Sequence, residues 1–309
     1  MTTHKHMDGQ AVLAMTGLCL VWSMQQIGLK ATAVDASPLL QIALRSGIAT
    51  VLVVALMRVR GETFVASALP WRAGLGAGLL FALEYLLLGA GLRLTSSAHG
   101  VVFLYTGPLF AAIGLHWRLP SERLTRLQWL GIALAFAGIV IAFLPTGSGF
   151  GSADAVLGDA LCLLAGAAWG ATTVLVRCSR LAQVSATHTT IFQLAVAFVV
   201  LTLAAAMLGQ WWFRSTPLVI ANMVFQTVVV SVASLLLWFA LLRRYLASRL
   251  GAFSFMTPLF GVGLGAWLLG ESVSPTFLAG AVFVVAGIVF VSCHGWLRQR
   301  AAHWGLKPY

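Results

Sequence analysis

The chain has 309 residues, with 19 Lys and Arg against 8 Asp and Glu, so 9% are charged where soluble domains carry roughly a quarter. Hydrophobic residues make up 60% and mean hydropathy is +0.94, which excludes a disordered chain, a fibre and an ordinary water-soluble globule. The net charge of +11 does not point to nucleic acid, because the cations fall between long apolar runs and not on a polar face.

A lipid bilayer core of about 30 Å needs roughly 20 apolar residues as a helix. In chain order, runs of this kind lie near 10–30, 37–57, 72–92, 95–117, 127–144, 155–177, 187–208, 217–242, 248–269 and 275–296. Turn residues separate them, as at Asp35–Pro38, Arg60–Glu62, Leu119–Glu122 and Pro145–Gly149. The first run lacks a small-residue cleavage site and reads as a retained span. Cys19, Cys162, Cys178 and Cys293 sit inside apolar stretches without metal-ligand spacing, so no disulfide framework and no metal is expected. The expected class is an all-α integral membrane protein of ten transmembrane helices.

Cations set the orientation. Lys5, Arg58, Arg60, Arg72, Arg118, Arg123, Arg126, Arg177, Arg180, Arg243, Arg244, Arg249, Arg298, Arg300 and Lys307 fall at alternate ends and loops. The opposite loops hold Lys30, Arg93 and Arg214, and Arg45 lies within a span. Both termini are therefore expected in the cytoplasm.

The two halves resemble each other. Tyr105–Phe110 (Tyr-Thr-Gly-Pro-Leu-Phe) matches Phe255–Phe260 (Phe-Met-Thr-Pro-Leu-Phe) at an offset of 150, and Ala137–Val140 matches Ala286–Val289 at 149. Trp22 and Lys30 match Trp169 and Arg177 at 147, and Glu122 and Glu271 follow the two prolines at nearly equal distance. Each half holds five spans. An odd number makes the second half enter from the other face, giving an inverted-topology repeat, a plan common among secondary transporters.

On these residues the sequence resembles the drug/metabolite transporter superfamily, in its EamA-type branch of two five-helix repeats, here 10–144 and 155–296 with short tails. That resemblance implies a bacterial inner-membrane carrier of small metabolites, often an exporter of amino acids and related compounds. This chain departs from repeat symmetry at Arg45, matched to Gln193, and at Glu84, matched to Ser234. Membrane-embedded charge is thus expected in the first half alone.

Arg45 and Glu84 are the costliest choices, at about 2.5–3.5 kcal/mol each on insertion scales. Each lies eight residues from the same end of its span, so both sit roughly 12 Å deep at 1.5 Å per residue. They are read as an ion pair or shared polar site, Arg45 for a substrate carboxylate and Glu84 for an amine or proton; a structural salt bridge is the alternative. Trp22, Tyr85, Tyr105 and Trp169 lie deeper than interfacial aromatics and suit apolar, aromatic or cationic groups, or else core packing. Gln25, Gln26, His99, Gln193 and Gln226 could add hydrogen bonds in the same cavity or between helices. Pro108 and Pro258, at matched positions within spans, are read as gating hinges, with a static kink as the alternative. Gly131 with Gly138 and Gly280 with Gly287 form a small-residue seam on the fifth and tenth spans, read as scaffold, with a homodimer contact as a second use.

No phosphate cradle, His-Glu-x-x-His or Gly-x-Ser-x-Gly is present, so no cofactor and no enzyme activity is expected. The reading is a secondary transporter moving a small organic solute, best an amino acid or related zwitterion, by alternating access. Efflux of drugs or quaternary-ammonium cations is the second choice. An intramembrane enzyme on a lipid-linked substrate and a non-transporting sensor are the alternatives of other classes.

Overall fold

The computed structural model describes residues 8–62, 69–120, 123–142, 153–245, 250, 253–254, 256–270, 273–276, 278–283, 285–287 and 290. Lys5, Glu122, Arg249, Glu271, Arg298, Arg300 and Lys307, and residues 291–296 at the end of the tenth expected span, lie outside the described residues.

The helices in order are α1 (Gly9–Ala31), α2 (Pro38–Val59), α3 (Trp71–Leu94), α4 (Ser97–Leu104), α5 (Gly107–Arg118), α6 (Arg126–Ala142), α7 (Ala153–Cys178), α8 (Ala186–Met207), α9 (Pro217–Val224), α10 (Leu235–Arg244) and α11 (Met256–Leu269). A π-helical stretch, Phe225–Ser234, joins α9 to α10 without a break in the chain's course. A further apolar helical segment runs Leu278–Gly287. Among the described residues no strand forms, and the β-pairing is an isolated bridge of Ala36 to Phe213. Seven of the described helical stretches are long and apolar enough to cross a membrane. Large apolar side chains such as Leu13, Val51, Leu79, Leu130 and Trp267 face outward, as a lipid solvent allows and water does not.

Local chemistry places the boundaries. Ser37 and Ser185 cap α2 and α8, their hydroxyls accepting from the Leu40 and His188 backbone N–H. Pro38 follows directly in the first turn of α2, where its missing N–H costs nothing. Gly61 and Gly209, at φ of 68° and 64°, end the same two helices in the left-handed region. Beyond them the Glu62 and Gln210 N–H groups turn back to the Met57 and Ala205 carbonyls at 3.0 and 2.8 Å.

The fourth expected span is broken rather than bent. Between α4 and α5 the helix is interrupted at Tyr105 and Thr106, and Pro108 stands in the first turn of α5. A proline there loses no internal hydrogen bond, so the interruption lies just before it.

Close approach of helices depends on small residues, since lipid gives no hydrophobic drive between them. A Cβ on Gly78 would stand 2.7 Å from the Phe192 carbonyl oxygen, and one on Gly158 3.0 Å from that of Gly91. These positions seat α3 against α8 and α7. Likewise Gly287 lies against the Gly131 carbonyl and the Ala135 backbone, so this small-residue seam closes within one chain.

Many contacts recur at the offsets read from the sequence. Lys30 Nζ donates to the Leu92 carbonyl at 2.7 Å, and Arg177 Nη1 to the Leu242 carbonyl at 3.3 Å. Ser37 Oγ donates to Gln210 Oε1 at 3.2 Å, and Ser185 Oγ to Glu62 Oε2 at 3.0 Å. Cys19 Sγ and Ser23 Oγ reach the Phe253 and Thr257 carbonyls at 3.1 and 2.9 Å. Their matched positions, Gly166 and Gly170, would bring a Cβ to 2.9 and 2.7 Å from the carbonyls of Phe103 and Gly107, the matches of Phe253 and Thr257.

Candidate substrate site

Helices α1, α3, α7, α8 and α10, with the α4–α5 break, enclose a cavity in the middle of the bundle. Its volume is about 50 Å³, room for a few waters and no larger solute. One wall is aromatic. Trp22 meets Tyr105, Trp169 and Trp238 with ring centroids 6.3, 6.2 and 5.4 Å apart, and Tyr105 meets Trp169 at 5.1 Å. The contacts are tilted or edge-to-face, the arrangements ring quadrupoles favour. Trp22 Nε1 donates to Ser234 Oγ at 3.0 Å, which fixes this ring in place.

The rest of the lining is more polar. Gln25 Nε2 donates to the Tyr85 hydroxyl at 3.1 Å, and Phe81 packs edge-on to Tyr85 one turn away. Glu84, Gln26 and Gln193 also line the cavity and are buried. Glu84 Oε2 and Gln26 Oε1 have no hydrogen-bond partner among the described residues. Two unpaired buried acceptors beside four rings are disposed to meet a donor-bearing cation.

Arg45 is sited differently from its expectation. It forms no ion pair with Glu84; its Nη1 donates to Gln226 Oε1 and its guanidinium stacks 4.7 Å from the Tyr85 ring centroid. Arg45 lines a smaller neighbouring space with Gln25 and Ser231, and Tyr85 lines both this space and the main cavity. The direct ion pair is thus not made, while Arg45 and Glu84 line adjoining spaces that share Trp22, Gln25, Phe81, Tyr85 and Leu235. Arg45 Nε has no partner among the described residues.

Gln226 belongs to this support and not to the cavity wall. Its Nε2 donates to the Gln25 carbonyl at 2.9 Å, and Asn222, one turn earlier, donates to Gln41 Oε1 at 2.9 Å and Thr32 Oγ1 at 3.2 Å. A Cβ on Gly28 would overlap Asn222 Oδ1, so only glycine admits this ladder beside α1. The π-helical stretch carries both Gln226 and Ser234; such segments are rare and frequent at functional sites.

His99 is not in the cavity either. At the end of the bundle opposite the start of α1, its Nδ1 lies 2.9 Å from Asp159 Oδ2, and Thr95 Oγ1 donates to Asp159 Oδ1. Asp159 is 4% exposed, a buried carboxylate of the second half six residues into α7. Sequence reasoning also missed Trp238, Phe81, Thr172 and Thr173 on the cavity wall. Trp238 stands five residues before Arg243 and so reads like an interfacial tryptophan. Pro258 lies in the first turn of α11, next to the Thr257 carbonyl that Ser23 holds.

The description "EamA-like transporter family" matches the chain twice, over residues 9–144 and 156–293. The chain belongs to that family. Among its relatives, the "Uncharacterized transporter YvbV" of Bacillus subtilis is 24% identical over 95% of each chain. A "Probable amino-acid metabolite efflux pump" of Salmonella typhimurium is 27% identical over 59% of this chain and 62% of its own. A solved crystal structure shares the fold at a TM-score of 0.70 and 20% identity, covering 95% of this chain and 99% of its own. EamA-like membership makes the chain a multi-pass membrane transporter and not an enzyme, and it implies a small-molecule substrate and a lipid bilayer.

Proposed function

We propose that this EamA-like protein exports a small organic metabolite, an amino acid or related zwitterion, by alternating access. The observation that carries this reading is the central cavity, lined both by Trp22, Tyr105, Trp169 and Trp238 and by Glu84 and Gln26, whose free acceptors have no partner among the described residues. An ammonium group fits between Glu84 and the rings, and an apolar side chain fits the rings themselves. The substrate carboxylate is assigned to Arg45, reached when Tyr85 swings aside. A relative named an amino-acid metabolite efflux pump supports the same substrate class.

Ten spans in two inverted five-helix repeats, 10–144 and 155–296, account for the paired contacts at matched offsets. In this scheme Pro108 and Pro258 mark one hinge in each half. The cation distribution supports cytoplasmic termini in a bacterial inner membrane. A homodimer through the fifth and tenth spans would use their outward faces, where Leu130 and Val282 are exposed.

One observation favours a second cargo. With Arg45 held by Gln226 and Tyr85, the cavity presents acceptors and rings but no free cation, which suits a lipophilic or quaternary-ammonium cation. Proteoliposome counterflow separates the two: amino acids should exchange and lipophilic cations should not. Exchange of cations alone moves the reading to cation efflux, and absence of counterflow with both overturns it.

A further inference from the structure

Two carboxylate–hydroxyl contacts tie the bundle together at its opposite ends. At the end where α1 begins, the Tyr245 hydroxyl, just past α10, donates to Asp8, 3.1 Å from each carboxylate oxygen. At the other end the Thr95 hydroxyl, just past α3, donates to Asp159 on α7, which also meets His99. Thr95 and Tyr245 are matched at the 150 offset. The 147 offset carries Asp8 to position 155, one helical turn before Asp159 and on the same face. In each case the carboxylate comes from the early turns of the first helix of one half. The hydroxyl follows the third span, of the same half for neither contact: α1 meets the end of α10, and α7 the end of α3.

Neither contact touches the central cavity, and neither is needed to complete a helix ladder. Asp8 already caps α1 through the Ala11 N–H at 2.9 Å. Each contact joins elements from different halves, and with both made the cavity has a volume of about 50 Å³. We infer that Asp8–Tyr245 and Asp159–Thr95 are the two gate closures of the transport cycle, one released at a time. This rests on the alternating-access reading above. A hydrogen bond to a charged group suits the task, since its loss shifts a two-state balance without dismantling the apolar packing beside it.

Hydrogen–deuterium exchange of the full-length protein in lipid nanodiscs tests the inference without any substrate. Tyr245→Phe should speed exchange about tenfold in α10 and the start of α1, the scale of one charged hydrogen bond. Exchange in α4 and the start of α7 should stay at or below that of the unmodified protein. Asp159→Asn and Thr95→Val should reverse the pattern, and Thr95→Ser should restore it. Faster exchange at both ends alike, at neither, or at the wrong end overturns the inference. So does failure of both Asp159→Asn and Thr95→Val to assemble, which would make the contact a folding element. If the ends respond as stated while no solute shows counterflow, the gates stand and the cargo assignment alone falls.

Discussion

Trp22 and Trp169 meet edge to face, with ring centroids 6.2 Å apart and planes at 79°. They occupy matched positions at the 147 offset, so the two halves contribute the same ring to one contact beside the cavity. Trp238 leans on both, 5.4 Å from Trp22 and 6.4 Å from Trp169. Three indoles and Tyr105 thus form one unit, anchored by the Trp22–Ser234 hydrogen bond.

Because this unit faces the cavity, Trp169→Ala and Trp238→Ala should each lower flux roughly tenfold, about the worth of one desolvated cation–π contact. Trp238→Phe should keep more than half of the rate. Proteoliposome flux reads both. Equal losses for Phe and Ala at 238 would mean that the indole N–H, and not the ring face, is what matters.

Glu84→Gln keeps the shape of the side chain and removes its ability to carry a charge. Transport of ammonium-bearing solutes should fall at least tenfold, while folded yield and the unfolding temperature stay near those of the unmodified protein. Glu84 Oε2 has no partner among the described residues, so little native bonding is lost. A Glu84→Gln protein that transports normally would remove Glu84 from the substrate site.

Arg45, unlike Glu84, should also matter for stability. Its guanidinium is held by Gln226 and Tyr85, so Arg45→Met leaves a buried Gln226 acceptor unsatisfied at about 1–3 kcal/mol. The double variant Arg45→Met with Gln226→Leu should recover much of that loss. Thermal unfolding in detergent measures the cycle; strictly additive effects would deny the coupling.

Helix boundaries were legible because their causes are local. The expected spans at 10–30 and 37–57 stand against observed helices Gly9–Ala31 and Pro38–Val59, delimited by Asp8, Ser37 and Gly61. Repeat offsets were legible too, since they compare residues without needing contacts. What could not be read was which neighbours each buried side chain meets, such as Gln226 and Tyr85 around Arg45. Nor could lateral pairing be read, which gave His99 to Asp159 and brought Trp238 into the cavity. Asp159 looked unremarkable because a carboxylate six residues into a helix reads as an ordinary helix-start charge.

The matched helix crossings give a last prediction, in which one missing methyl group is decisive. Gly166 and Gly170 lie where a Cβ would stand within 3.0 Å of carbonyl oxygens at the α4–α5 break, and carbonyls of the main chain have nowhere to retreat. Gly166→Ala and Gly170→Ala should each destabilise by about 1–3 kcal/mol, the usual cost of overpacking, and should stiffen or misplace the break beside Tyr105. Gly263 also sits inside a helix, but nothing lies within 4 Å of its would-be Cβ. There Gly263→Ala should gain about 0.5–1 kcal/mol from helix propensity alone. Thermal unfolding of the three variants in one detergent reads the contrast. Equal shifts at 166, 170 and 263 would show that propensity governs all three, and that the close crossing of α7 over the break carries no energy of its own.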